Sequence, residues 1–243
     1  MQMPESLAPK KRGGAILLSP PSQNRNAPKS YRFRNLGDAQ ATAGEHQKEV
    51  YQLSPLPKEQ HYTFADLLVW DNDTRYELYD GHPVALASPT NVHQMISGEL
   101  FRQLANYLVG KRCKVFSAPF DVRIFEEQGD SPEDVDTVLQ PDLMVVCDPD
   151  KVDRHGIRGT PDLVIEILSQ SSARYDRVFK FSLYQRAGVK EYWIVDPVTR
   201  TVCVYTMEDG AYHAADVYSS DLSVPAGILD NCNIDLSTVF GEG

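Results

Sequence analysis

The chain is expected to fold as an α/β sandwich, and three observations predict it. Two apolar, Val-rich runs of strand length, Leu143 to Cys147 and Leu163 to Leu168, flank a segment of turn residues. A long stretch before them repeats apolar residues every four positions. A third run after them, Glu191-Tyr-Trp-Ile-Val195, is apolar on both faces and so belongs at the centre of a sheet.

The elements follow in order. Residues 1–58 show no sustained period, contain Pro20-Pro21, Pro28, Pro55 and Pro57 among Ser, Asn and Gln, and read as a disordered, basic, Pro-rich tail. One domain is expected over 59–243. Its first helix begins near Tyr62-Thr63-Phe64, with Thr63 as cap. Arg75–Tyr79 and His82–Ala87 around Asp80-Gly81 predict a hairpin, because Asp-Gly suits a type I′ turn. From Asn91 to Val109, Ile96, Leu100, Leu104 and Leu108 line one helical face, and Gly110 ends the helix. Strands are expected at Lys114–Ser117 and Phe120–Phe125, then at the two Val-rich runs. A second helix is expected from Ala173 to Ala187, closed by Gly188. Thr201–Tyr205 and Ala211–Ala214 suggest another hairpin, and the C-terminal segment is uninformative.

Composition bounds the class. With 42% hydrophobic and 24% charged residues, the 243-residue chain is typical of globular proteins. No stretch approaches the length of a membrane span. Cys113, Cys147, Cys203 and Cys232 are scattered without paired-ligand spacing. They read as reduced core thiols of a cytoplasmic protein, with no zinc site. Charge is uneven: residues 1–58 hold nine Lys/Arg and four Asp/Glu, and the remainder holds 15 bases and 30 acids. The acidic body argues against strong unassisted binding to a phosphate backbone, a contact the basic tail would have to supply.

The chemistry centres on Pro141-Asp142-Leu143 and Asp162-Leu-Val-Ile-Glu166-Ile-Leu-Ser169. In an antiparallel pair, the start of one strand lies beside the end of the next. Asp142 opens the first run and Glu166 closes the second, so the two carboxylates face each other at one end of a β-hairpin. Two acids within apolar strands are costly unless something positive binds them, and a divalent cation is the usual answer. The competing bland readings are turn chemistry for Asp142 and a solvated edge residue for Glu166. Asp162 lies about 13 Å from Glu166 at the rise of a strand, too far to share the ion, and reads as a turn residue. Lys180 follows Asp176 by four residues and precedes Tyr184 by four. This spacing fits either a helix-surface ion pair or a lysine directed at Glu166. Glu77 lies mid-strand, either as a third acid or facing water. His93 falls in the first turn of the long helix, where the dipole disfavours imidazolium.

The order of these segments resembles the PD-(D/E)XK nuclease superfamily and, more narrowly, the bacterial Uma-type restriction endonuclease family. The matching residues are Tyr76-Glu-Leu-Tyr-Asp-Gly81, His93, Pro141-Asp-Leu143 and Gly159-Thr-Pro-Asp-Leu-Val-Ile-Glu-Ile-Leu-Ser169. They continue through Asp176, Lys180 and Tyr184 to Gly188-Val-Lys-Glu-Tyr-Trp-Ile-Val-Asp-Pro197. The resemblance covers most of 60–210. It implies a restriction-endonuclease-like αβββαβ core with a mixed central sheet and extra β-hairpins. It also implies a Mg²⁺-dependent DNA endonuclease, with Mn²⁺ as a substitute ion. Asp142, Glu166 and the backbone carbonyl of Ile167 would hold the metal, with Glu77 nearby and His93 touching substrate or organising water. One position departs: the superfamily's Glu-X-Lys would need Lys at 168, where this chain has Leu168. The resemblance suggests that Lys180 fills that place. A homodimer would suit cutting both strands of a duplex. Two rival classes remain: a catalytically inactive nuclease fold serving as a binding or scaffolding module, and an enzyme acting on small phosphorylated substrates. The second lacks a phosphate-cradling Gly loop.

Overall fold

The computed structural model describes residues 61–70, 74–169, 176–213 and 216–241, apart from the side chains of residues 176 and 177. The expected tail over 1–58 and the expected helix start at Ala173 lie outside the described residues. Thr63 caps helix α1 (Phe64–Val69), its amide donating to Asp66 Oδ2 at 2.8 Å. Strands β1 (Tyr76–Tyr79) and β2 (His82–Ala85) form the expected hairpin. Asp80 and Gly81 both take positive φ, 45° and 75°, as the tight turn requires. Helix α2 (Asn91–Tyr107) starts at Thr90, whose Oγ1 accepts the amide of His93.

Two sheets follow. The larger contains, in spatial order, β12 (Ala211–Tyr212), β11 (Thr201–Glu208), β10 (Glu191–Asp196), β9 (Leu163–Ile167), β6 (Leu143–Val146) and β3 (Lys114–Ser117). Strand β13 (Asp216–Ser219) also pairs with β11. β9 and β10 run parallel and the remaining pairs antiparallel, so the central sheet is mixed. The smaller sheet runs β2, β1, β5 (Val138–Leu139), β4 (Val122–Arg123), β8 (Gly156–Arg158) and β7 (Val152–Asp153). Beyond β9, a π-helical turn over Asp176–Lys180 leads into helix α3 (Phe181–Ala187), closed by Gly188 at φ 77°. A C-terminal pair, β14 (Ser223–Pro225) and β15 (Asn233–Asp235), precedes helix α4 (Leu236–Phe240).

The large sheet is covered on both faces. Odd positions of its central strands, Leu143, Val145, Leu163, Ile165, Trp193 and Val195, pack against Ile96, Leu100, Leu104 and Leu108 of the α2 segment. Even positions, Met144, Val146, Val164 and Ile194, pack against Leu183 and Tyr184 of α3 and against Val122, Leu139 and Ile157 of the smaller sheet. Each such fully buried aliphatic side chain contributes about 1.5–3 kcal/mol.

Two expectations are corrected. β6 and β9 do pair antiparallel, but no simple turn joins them. The intervening segment crosses to the other sheet and adds β7 and β8 there. The cysteines are not all reduced, since Cys113 and Cys147 form a disulfide while Cys203 and Cys232 remain thiols. The cause is register: Lys114 pairs with Val146, so Cys113 and Cys147 stand opposite one another one step further along the same ladder.

Candidate active site

The β6–β9 register places Leu143 opposite Ile165, so Asp142, one step before, stands opposite Glu166. Both have the parity of the face that looks toward the smaller sheet and α3. Asp142 is fixed from two directions: its Oδ2 accepts the Ile167 amide at 2.8 Å and faces His93 Nε2 at 3.0 Å. A carboxylate can only accept, so this contact puts a proton on Nε2. The backbone holds the same residue, because the Ala118 amide donates to the Asp142 carbonyl at 3.0 Å.

Glu166 is 3% exposed within β9, and Lys180, 5% exposed, reaches it: Nζ lies 2.9 Å from Oε1. The Tyr184 hydroxyl donates to the same oxygen at 2.7 Å. Lys180 and Tyr184, four residues apart where the π-turn meets α3, therefore project onto one carboxylate. Burial, followed by the nearby Glu166 charge, pushes the Tyr184 phenol well above its usual pKa, so it stays an O–H donor. Leu168, where the superfamily's lysine would stand, is buried in the apolar cluster between the sheets.

Glu77 comes from the other sheet. It is 1% exposed on β1, and its Oε1 lies 3.2 Å from Lys180 Nζ and accepts the Gln140 amide at 2.8 Å. Its Oε2 accepts the Tyr79 hydroxyl at 2.5 Å. One ammonium thus bridges carboxylates from both sheets, at the seam between them. Asp162 lies at the other end of β9, where it accepts the Cys147 amide and pairs with Lys190 at 2.7 Å.

The structure therefore brings Glu77, Glu166 and Lys180 together, sets Asp142 across the ladder from Glu166, and joins His93 to Asp142. The sequence reading missed Tyr79 and Gln140. Tyr79 had a signal, because it lies two residues from Glu77 and so on the same strand face. Gln140 acts through its backbone amide, which leaves no pattern.

The donor set suits a hard cation. Asp142 and Glu166 offer only oxygen, whereas both oxygens of Glu77 already accept from Gln140, Lys180 and Tyr79. Among the described residues, no three His, Cys, Asp or Glu side chains cluster closely enough to clamp a metal by themselves.

Residues 63–237 match the family model Uma2, described as "Putative restriction endonuclease". The uncharacterized protein slr1290 of Synechocystis sp. is 27% identical over 172 residues, covering 69% of this chain and 85% of that protein. A crystal structure described as a "putative nuclease belonging to DUF820", from Anabaena variabilis, superposes with a TM-score of 0.58 at 19% identity. It covers 73% of this chain and 97% of that one, and shares the restriction-endonuclease-like fold. No helix among the described residues is long and apolar enough to cross a membrane.

Proposed function

Because the chain belongs to the Uma2 family ("Putative restriction endonuclease"), we propose that it is a Mg²⁺-dependent endonuclease hydrolysing phosphodiester bonds of DNA. One observation carries this reading: Lys180 is held between Glu166 and Glu77 in a buried seam, with Asp142 across the ladder from Glu166. Asp142, Glu166 and the carbonyl oxygen of Ile167 would hold the metal, which when bound polarises a phosphate oxygen and lowers the pKa of a water. Lys180 holds the attacking water and offsets the negative charge that builds on the phosphorane-like state. Glu77 has donors on both oxygens, so its part is to orient Lys180. His93 orients Asp142, and Tyr184 fixes the rotamer of Glu166.

The test is nicking of supercoiled plasmid with Mg²⁺. Asp142→Asn and Glu166→Gln are each expected to abolish it, and undiminished cleavage by either variant would overturn the proposal. A second reading, a nuclease fold that binds nucleic acid without cutting, is favoured by the ion pair that already neutralises Glu166. Calorimetric titration with Mg²⁺ separates the two: heat that disappears in Glu166→Gln supports the nuclease, and its absence in the wild type supports the silent module.

A further inference from the structure

A cavity of about 320 Å³ adjoins the acidic seam, and Leu68, Phe120, Asp121, Gln140, Arg154 and His155 line it. Gln140 joins the two sites. Its backbone amide donates to Glu77, and its side-chain Nε2 donates to Asp121 Oδ1 at 2.8 Å. The opposite wall is also continuous with the site, because Phe120 and Asp121 follow Ala118, whose amide holds the Asp142 carbonyl. The floor is rigid. The Ile157 amide donates to the Asp121 carbonyl at 2.8 Å, and Gly156, at φ 130°, approaches so closely that an added Cβ would lie 2.1 Å from that oxygen.

The chemistry of the lining is specific. Phe120, stacked on Phe116 at 5.1 Å between ring centroids, offers an aromatic wall. Asp121 presents carboxylate oxygen, and Gln140 Oε1 is buried with no hydrogen-bond partner among the described residues. The Asp121 carboxylate calls for a ligand that donates. Arg154, whose Nε donates to His155 Nε2 at 2.7 Å, supplies positive charge at the rim for a phosphate. The volume lies at the lower end of the small-molecule range, which suits one planar ring with its sugar phosphate at the mouth. Burial raises the Asp121 carboxyl pKa, and a ligand N–H donated to it would reverse that cost.

We propose that this cavity is a base pocket, taking a nucleobase that bears an exocyclic amino group (adenine, cytosine or guanine) from the nucleotide beside the cleaved phosphate. Asp121, held by Gln140, accepts its N–H group and Phe120 covers its ring. The assignment of that phosphate rests on the nuclease reading of the neighbouring seam, so the test reads binding rather than cleavage.

The four deoxynucleoside 5′-monophosphates are titrated into the full chain, without metal, and followed by saturation-transfer NMR. The amino-bearing three are expected to bind about tenfold more tightly than dTMP, the discrimination of one good base contact. Asp121→Asn, nearly isosteric, should erase that preference, and Glu166→Gln should leave it intact. Leu68→Trp, at an exposed position on the cavity mouth, should weaken all four. The proposal falls if no nucleotide binds, if dTMP binds as well as the others, or if Asp121→Asn keeps the preference. Failure of the nuclease reading looks different: plasmid nicking survives in Asp142→Asn while the nucleotide preference is untouched.

Discussion

Lys180 and Glu166 are fourteen residues apart in the chain, and their charged atoms lie 2.9 Å apart, both side chains almost wholly buried. Glu77 closes on the same ammonium from the other sheet at 3.2 Å. Replacing Lys180 by Met would leave two buried carboxylates facing each other without a cation. Such a loss costs about 3–5 kcal/mol. The expected outcome is a matching fall in the urea midpoint with an unchanged slope. On the nuclease reading, Mg²⁺ recovers part of that loss in the variant.

On the proposed nuclease reading His93 acts through Asp142, so its removal tests positioning rather than chemistry. His93→Ala takes away the ring nitrogen 3.0 Å from Asp142 Oδ2 and leaves the Ile167 amide as the other holder. Loss of such a supporting contact typically lowers metal affinity or activity by about 10–100-fold. The variant is expected to need more Mg²⁺ for half-maximal nicking. An unchanged Mg²⁺ dependence would show that the ring does not orient Asp142.

Glu191 anchors the C-terminal segment. It is buried on β10, with Oε1 accepting from Trp193 Nε1 at 2.6 Å and Oε2 from the Ile228 amide at 2.9 Å. Glu191→Gln turns one oxygen into a donor facing another donor, which should cost about 1–3 kcal/mol by chemical denaturation. Burial raises the carboxyl pKa, against the Trp193 and backbone bonds that lower it. The folded protein therefore binds this proton more tightly than the unfolded chain does. The group's contribution to stability falls as pH rises from the ordinary carboxylate range through the raised folded value, then levels off. The stability gap between wild type and Glu191→Gln should narrow over that window.

The disulfide between Cys113 and Cys147 ties the edge strand β3 to β6 across a sequence separation of 34. Alkylation without reductant should modify Cys203 and Cys232 alone, with Cys232 requiring denaturation because it is buried. After reduction, all four should react. Cys147→Ser should lower stability by about 2–4 kcal/mol under oxidising conditions and have little effect when the wild type is reduced.

Local pattern carried a large part of this structure. Helix α2 was legible because Ile96, Leu100, Leu104 and Leu108 repeat at helical spacing, and the β1–β2 turn because Asp80-Gly81 takes the positive φ that turn demands. β5 and β7 are two residues long, too short for any period to show, and β4 keeps only Val122–Arg123 of the strand expected over Phe120–Phe125. How they join the β1–β2 hairpin into a second sheet was therefore not legible, nor was the crossing of the segment between β6 and β9.

The sequence by itself determined the acidic pair: a charged residue inside an apolar strand is conspicuous by type and position, as Asp142 and Glu166 are. It also restricted Lys180 to two readings by its four-residue spacing from Tyr184. Only the tertiary structure decided that Lys180 turns to Glu166 and Glu77. Likewise, it alone paired Cys113 with Cys147 and joined Gln140 to both Glu77 and Asp121. Each of these depends on the register and seam of two sheets, which long-range burial sets and which no local spacing encodes.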